Sequence, residues 1–204
     1  MTEVTRVTVG FLASNCYIVS ESGRADAVLV DPGDDYEKID AKLREKGLAP
    51  RAILLTHAHF DHCNAAARFQ KDGCRVYLHE ADDLLVRTDM NMARSMGARF
   101  SPFTPDILFG DGYVVDECGM TFKCVHTPGH TAGGVCYITE NIIFSGDTLF
   151  CLGIGRSDMP TGDGRALENS IKTKLYALSG DYTVYPGHGD TTTLEFERKN
   201  NPYV

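Results

Sequence analysis

Four side chains that bind metal ions well lie within six residues of one another: His57, His59, Asp61 and His62. They follow residues 52–55, an apolar run that predicts a buried strand. Alternate residues of an extended segment point the same way, so His57, His59 and Asp61 can share a face, and His62 can turn towards a neighbouring point from the start of a helix. One tetrahedral ion cannot easily take all four ligands at this spacing. The run therefore predicts two adjacent ions.

Three further turns follow predicted strands and contribute one candidate ligand each. They are residues 127–130, 145–148 and 185–189, which supply His130, Asp147 and His188. Glycines in these turns allow the sharp reversals that point a side chain back along a sheet edge. An isolated loop histidine is most often an ordinary surface residue, but here five of the seven histidines share this context. The set therefore predicts a metal centre.

The other two histidines have different contexts. His126 lies four residues before His130, at the end of a predicted strand. We expect it to support a ligand or to pack against one, because metal ligands usually need orienting partners. His79 has no such context and is expected at the surface.

Short strands and helices must position these residues. Strands are predicted at residues 15–19, 27–30, 52–55, 75–78, 113–115, 121–125, 135–138, 142–144 and 183–185. Helices are predicted at residues 65–69, 80–87, 165–178 and 194–199, and between Tyr36 and Gly47. Residues 90–106 show little periodicity, and residues 94–100 are expected to form a flexible flap.

The order of elements is similar in the two halves of the chain. In the first half, a strand, a turn with Asp31, a helix and a strand lead to His57. In the second half, a strand, a turn with Asp147, a helix and a strand lead to His188. Ligands of α/β sheets bind at the carboxyl ends of strands. Two such halves, packed sheet against sheet, would bring both sets of loops to one edge.

Composition narrows the class of protein. The 204 residues suit one globular domain, with 43% hydrophobic and 24% charged residues. The 20 basic and 28 acidic residues give a net charge of −8, which disfavours nucleic-acid and anionic-membrane partners. We expect a cytoplasmic protein, because no apolar run reaches transmembrane length and the N-terminus does not resemble a signal peptide. The seven cysteines, with no Cys-x-x-Cys motif, are expected to be mostly buried and reduced.

As a set, the motifs resemble the metallo-β-lactamase superfamily. The resemblance rests on the run from His57 to His62, followed in order by His130, Asp147 and His188, and it extends over residues 15–202. It implies an α/β fold, a four-layer αββα sandwich in one domain over residues 1–204. The metals would lie at one edge, between the two sheets.

The resemblance also implies a role for each residue. The first metal would be held by His57, His59 and His130, and the second by Asp61, His62 and His188. Asp147 would bridge the two, and Asp31 would orient the histidine loop without binding metal. The cofactors would be two divalent ions, zinc first, with iron or manganese as alternatives. A water that bridges the ions would lose a proton, with the catalytic Asp61 as acceptor, and the resulting hydroxide would attack the substrate carbonyl.

Within the superfamily, residues 127–131, 145–150 and 155–158 resemble glyoxalase II and its short relatives. This implies hydrolysis of a small-molecule thioester or ester. The sequence departs from that pattern at Cys63-Asn64-Ala65, where glycines are usual, and it ends about where the sandwich ends, without the helical domain that helps full-length glyoxalase II to bind glutathione. We therefore expect weak discrimination for the thiol half. Arg156 is a candidate for binding a substrate carboxylate, or else a salt-bridge partner of Asp158.

Three alternative functions remain. Persulfide dioxygenases of the same superfamily keep most of these ligands but bind a single iron and use oxygen. A lactonase would use the same hydrolytic residues. A non-catalytic metal-stabilised domain is disfavoured, because a structural site is normally closed by four ligands, whereas seven converge here.

Overall fold

The computed structural model describes all 204 residues, in 14 strands and six α-helices. The strands are β1 (Thr2–Val9), β2 (Ser14–Glu21), β3 (Asp26–Val30), β4 (Ala49–Leu54), β5 (Arg75–His79), β6 (Ile107–Phe109), β7 (Val114–Glu117), β8 (Met120–His126), β9 (Val135–Thr139), β10 (Ile142–Gly146), β11 (Leu149–Phe150), β12 (Gly153–Ile154), β13 (Thr183–Pro186) and β14 (Thr192–Thr193). The α-helices are α1 (Tyr36–Lys46), α2 (Phe60–Cys63), α3 (Ala66–Lys71), α4 (Asp83–Val86), α5 (Gly164–Ser170) and α6 (Leu194–Asn200).

Two six-stranded sheets contain most of these strands. The first sheet has the order β1-β2-β3-β4-β5-β6 and the second has the order β14-β13-β10-β9-β8-β7, while β11 and β12 form a separate ribbon. The strands from β3 to β6 run parallel, and so do β10 and β13; all other neighbours are antiparallel. The parallel pairs of both sheets thus end in the loops that carry the candidate ligands.

Three clusters of buried hydrophobic residues lie between four layers, which are the two sheets and the helices on their outer faces. On β2, Cys16 and Ile18 pack with Leu43 and Phe69 beneath the helices of the first half. The alternate residue Tyr17 packs instead in the cluster that lies between the two sheets. A third cluster packs the outer face of the second sheet against α5, α6 and the π-helical stretch Ile171–Leu175. β2 is therefore apolar on both faces, as a strand in the middle of such a sandwich must be. The αββα expectation is confirmed.

Most predicted elements are present, and the misses have physical reasons. All nine predicted strands occur. The edge strand β1 was not predicted, because only Val7 and Val9 are buried on it and it lacks an apolar signature. The predicted helix at 80–87 is instead a 3-10 turn, Glu80–Asp82, followed by the single turn α4. The predicted helix at 165–178 changes to π-helical geometry after Ser170.

The cysteine expectation is confirmed: six of the seven cysteines are buried, all are unpaired, and only Cys151 is exposed. No helix combines the length and the apolar character that crossing a bilayer would require. The similarity between the two halves is also present, since β3, α1 and β4 lead to His57 as β10, α5 and β13 lead to His188.

Candidate metal centre

The candidate ligands lie on loops from both sheets, at one edge of the sandwich. His57 and His59 lie between β4 and α2, while Asp61 and His62 are part of α2 itself. The remaining three come from the second half: His130 between β8 and β9, Asp147 between β10 and β11, and His188 between β13 and β14. The packing of sheet against sheet has brought together residues up to 131 positions apart, from 57 to 188.

One group of ligands is deeply buried. The donor atoms of His57, His59 and His130 lie within 4.8 Å of one another, and none of the three residues is more than 3% exposed. Nδ1 of His59 lies 2.9 Å from Nε2 of His130. We call this set the inner group.

The second group is closer to solvent. The donor atoms of Asp61, His62 and His188 also lie within 4.8 Å of one another. Nε2 of His188 is 3.3 Å from Oδ2 of Asp61 and 3.3 Å from Nε2 of His62. Because the side chain of His188 is 29% exposed, this set, the outer group, is open on one side.

Asp147 lies between the two groups. Its Oδ2 is 3.5 Å from Nε2 of His130 in the inner group and 3.6 Å from Nε2 of His188 in the outer group. Its Oδ1 is 3.4 Å from Nε2 of His62. Gly187 permits this close approach, since a Cβ at that position would lie 2.2 Å from Oδ1 of Asp147.

Hydrogen bonds leave ligand lone pairs aimed at the centre. Nδ1 of His62 donates to Asp31 at 3.0 Å, and Nδ1 of His130 donates to the carbonyl of Arg156 at 2.6 Å. The hydroxyl of Thr56 donates to Asp31 and can therefore accept from Nδ1 of His57, 3.1 Å away. In all three histidines a proton on Nδ1 leaves Nε2 free as a metal ligand.

Buried polar atoms without hydrogen-bond partners also indicate that these residues fit metal ions. Nε2 of His57, Nε2 of His59 and Oδ1 of Asp147 are buried without a hydrogen-bond partner. Each such atom costs about 1–3 kcal/mol if nothing satisfies it. Three of them in one centre are what a divalent cation would satisfy, and nitrogen and carboxylate donors are the ligands that zinc and iron accept.

Protonation states suit metal binding at three of the candidate ligands, whereas His62 must lose a proton to bind an ion. Burial alone would lower the pKa of His62, but the neighbouring Asp61 and Asp147 hold it well above its usual value. Burial lowers the pKa of His57 well below its usual value and that of His59 to about 3, so both imidazoles are neutral. Burial alone would raise the pKa of Asp61, but the neighbouring His62 and a hydrogen bond from His188 hold it well below its usual range. Asp61 is therefore ionised.

Comparison with known proteins identifies the family. The family model for the metallo-beta-lactamase superfamily matches residues 9–188. The chain belongs to the metallo-β-lactamase superfamily. Among its superfamily relatives, hydroxyacylglutathione hydrolase GloC of Haemophilus influenzae is 33% identical, over 97% of this chain and 96% of that protein.

Two solved structures share the whole fold. BLEG-1 B3 metallo-beta-lactamase superposes with a TM-score of 0.90 at 34% identity, covering 100% of this chain and 99% of that one. TTHA1623 in a di-iron-bound form gives a TM-score of 0.89 at 39% identity, covering 98% and 100%. The resemblance inferred from the motifs is confirmed.

Asp31 accepts hydrogen bonds from the loop that carries the candidate ligands. It is buried and adopts a left-handed φ of 49° at the end of β3. Its carboxylate accepts hydrogen bonds from the backbone N–H of Thr56 at 2.7 Å, from the Thr56 hydroxyl at 2.6 Å and from His62 at 3.0 Å. These three bonds offset the cost of the strained backbone.

Asp82 is a supporting residue that the sequence did not reveal. It is fully buried, and its carboxylate accepts from the backbone N–H of Ala58 at 3.0 Å, from the hydroxyl of Thr131 at 2.8 Å and from the backbone N–H of Gly133 at 2.7 Å. Ala58 lies between His57 and His59, and Thr131 follows His130. One carboxylate therefore ties together the two loops that supply the inner group.

The first two residues of β2, Ser14 and Asn15, support the outer group. The hydroxyl of Ser14 donates to Oδ2 of Asp61 at 2.8 Å. The amide of Asn15 donates to the carbonyls of Pro186 and Gly189, at 3.0 and 2.9 Å, on either side of His188. No spacing signal links these residues to the centre, since they lie more than 40 positions away from the ligands that they support.

His126 supports the loop that carries His130. It donates through Nε2 to the backbone carbonyl of Ala132 at 2.8 Å. The expectation that His79 lies at the surface is wrong. His79 is 5% exposed and stacks on His126 with ring centroids 4.1 Å apart, because β5 and β8 bring them together inside the sandwich.

Arg156 lies at the cavity that opens onto the centre. This cavity has a volume of about 480 Å³, and its floor includes His59, Asp61, Asp147 and His188. The guanidinium of Arg156 makes two 2.9 Å contacts with the carboxylate of Asp158, as the salt-bridge alternative predicts, while the residue also lines the cavity.

Proposed function

We propose that the protein is a dinuclear metal-dependent hydrolase of small-molecule thioesters. The observation that carries this proposal is the pair of ligand groups joined by Asp147 beneath a cavity that a substrate can enter. A structural metal site would be closed, whereas the outer group faces the cavity. The similarity to hydroxyacylglutathione hydrolase GloC supports a thioester substrate.

The ligand roles follow the two groups. His57, His59 and His130 would hold one ion, and Asp61, His62 and His188 would hold the other, with Asp147 contributing to both. When bound, such a pair of ions lowers the pKa of water towards 7 and polarises a carbonyl. Zinc is our first choice, and the di-iron form of TTHA1623 makes iron the main alternative.

Asp61 is the proposed proton acceptor. Its carboxylate lines the cavity, where it can take a proton from a water that attacks the substrate carbonyl. The Ser14 hydroxyl, 2.8 Å from Oδ2, holds the carboxylate in place. Asp61 would thus combine metal binding with general-base catalysis.

The cavity favours thioesters over oxygen esters. A thiolate leaves without a proton donor because the pKa of a thiol is about 8.5, whereas an alkoxide needs one. The lining contains no tyrosine, lysine or cysteine that could protonate an alkoxide, and its histidines are proposed metal ligands, so an alkoxide would depend on the proton returned by Asp61. Lactones, as oxygen esters, should therefore be poorer substrates.

The test compares matched acyl thioesters and oxygen esters on metal-replete protein. We expect turnover of thioesters that chelation abolishes and added metal restores, with lower kcat/KM for each matched ester. Hydrolysis of no thioester by metal-replete protein would contradict the proposal. Oxygen consumption with glutathione persulfide, together with one iron per chain, would point to the dioxygenase instead.

A further inference from the structure

The walls above the metal centre are apolar. They are formed by Leu12, Phe60, Met92, Met96, Phe150, Ile154 and Met159. These residues come from four separate segments of the chain, around positions 12, 60, 92–96 and 150–159, so no single buried element explains why they meet. Met96 remains 45% exposed, and Phe11 at the rim is 65% exposed and stacks on Phe60 with centroids 6.0 Å apart. Exposed apolar side chains grouped around a cavity mark a binding surface.

Three of the wall residues are methionines. Met92 and Met96 belong to the segment that follows the 3-10 turn Asp89–Asn91, and Met159 faces the cavity from the loop after β12. Methionine side chains are unbranched and polarisable, so they adapt to apolar groups of different shape. The wall is thus suited to a flexible hydrocarbon group rather than to one rigid shape.

Fixed positive charge is almost absent from the lining. Arg156 is its only lysine or arginine, and Asp158 already occupies the guanidinium with two 2.9 Å contacts. The proposed metal ions would be held by Asp61 and Asp147 at the floor, where they would face the reacting carbonyl. A glutathione group carries two carboxylates, and away from those ions the lining offers them only Arg156, which is already paired with Asp158.

We propose that the cavity selects thioesters in which a neutral, apolar chain is attached directly to the reacting group. This proposal rests on the proposed thioesterase function and adds the substrate class to it. With the carbonyl at the floor, the chain would lie against Met92, Met96 and Phe150. Each methylene that leaves water there contributes about 0.8 kcal/mol, or close to fourfold in kcat/KM, until the cavity is full.

Two series of substrates test the proposal and show which half carries the chain. The first varies the acyl group (acetyl, butyryl, hexanoyl) on N-acetylcysteamine. The second keeps an acetyl group and lengthens the alkyl thiol from ethyl to hexyl. We expect kcat/KM to rise about 10-fold or more from butyryl to hexanoyl, or over the matching thiol step. S-lactoylglutathione should be at least ~10-fold poorer than the best apolar thioester.

Variants locate the effect in the wall. Met92→Ser and Met96→Ser should each reduce the gain per methylene, because they replace an apolar contact with a hydroxyl. Leu108→Ser is the matched control: Leu108 is 44% exposed, much like Met96, but lies on the edge strand β6 away from the cavity. It should leave the chain-length dependence unchanged.

A binding measurement separates this proposal from the proposed function. Ketones in which a methylene replaces the thioester sulfur cannot be hydrolysed, and calorimetry on the metal-replete protein should show tighter binding and a more negative heat-capacity change as the chain lengthens. If ketones bind in this way but no thioester is cleaved, the function is wrong and the apolar site stands. If the enzyme is active but its kcat/KM does not change with chain length, or if it prefers S-lactoylglutathione, the proposed substrate class is wrong and the proposed thioesterase function stands.

Discussion

The inner and outer groups of the metal centre use similar ligands in different surroundings. The inner group is almost fully buried and is fastened by Asp82, which joins its two loops from within. Both groups border the cavity, but the outer group is more open to solvent, because its His188 is 29% exposed on a loop that Asn15 holds through hydrogen bonds. In the proposed function the inner group would hold a cation firmly, and the outer group would leave room for substrate beside one.

The difference between the inner and outer groups should have its largest effect on the number of metal ions bound per chain. We expect two ions per chain at full loading, and His188→Ala should lower this to one by removing an outer ligand. His59→Ala should instead weaken the tighter site, so that the first ion to bind is affected. Elemental analysis of protein dialysed against limiting metal measures both. A wild-type value of one ion, unchanged in His188→Ala, would contradict the two-site assignment.

The second largest effect is expected on thioester hydrolysis, in variants of Asp61. Asp61→Ala removes an outer ligand and the proposed proton acceptor together, so kcat/KM for thioesters should fall by at least ~10²-fold. Asp61→Asn keeps the shape and can still ligate through oxygen, but it cannot accept the proton, so the loss should persist at saturating metal. Wild-type turnover by both variants on every cleaved thioester would remove Asp61 from the mechanism.

Substitution of Asp82 tests how the inner group is positioned, because Asp82 supports the ligand loops but is not a candidate ligand. Asp82→Asn keeps the volume but turns an N–H₂ towards backbone donors, which should lower the free energy of unfolding by about 1–3 kcal/mol and weaken inner-site metal affinity by ~10–100-fold. Asp31→Asn should produce the corresponding loss in the outer group through His62.

The neighbouring Asp83→Asn is the control for Asp82. Asp83 makes only a surface pair with Arg87, so the change should cost no more than about 0.5 kcal/mol and leave metal affinity unaltered. Equal metal affinities for Asp82→Asn and Asp83→Asn would show that the carboxylate of Asp82 does not position the inner ligands.

The smallest effect concerns pH and the histidine stack behind the inner group. Burial and the facing His126 lower the pKa of His79 to about 4, with Lys174 acting in the same direction and Asp111 opposing it. Folded His79 thus binds its proton less readily than the unfolded chain does. Its contribution to stability is complete above pH 6.5 and declines as the pH falls from about 6.5 to about 4.

Denaturant unfolding at several pH values measures this contribution. His79→Gln should flatten the decline over that interval, whatever its effect at pH 7. An unaltered slope in the variant would mean that other groups determine the acid sensitivity.

Local sequence determines the parts of the centre that are local. His57, His59, Asp61 and His62 follow one strand directly, so their spacing predicts a shared site before any tertiary structure is known. The glycine turns at His130, Asp147 and His188 add weaker signals that become specific only as a set. The apolar runs predict the sandwich core because strands buried on both faces need them.

Only the tertiary structure decided which distant residues support those ligands. Asp82 was expected in an ordinary helix and Ser14 and Asn15 near a strand, yet each donates or accepts across loops that are distant in sequence. His79 was expected at the surface because nothing near it in sequence marks burial, and its burial depends on β5 and β8 facing each other across the sandwich. The apolar wall arises in the same way, from four segments with no common periodicity. Spacing along a chain records which residues can share one loop, whereas the contacts between loops depend on how two sheets pack.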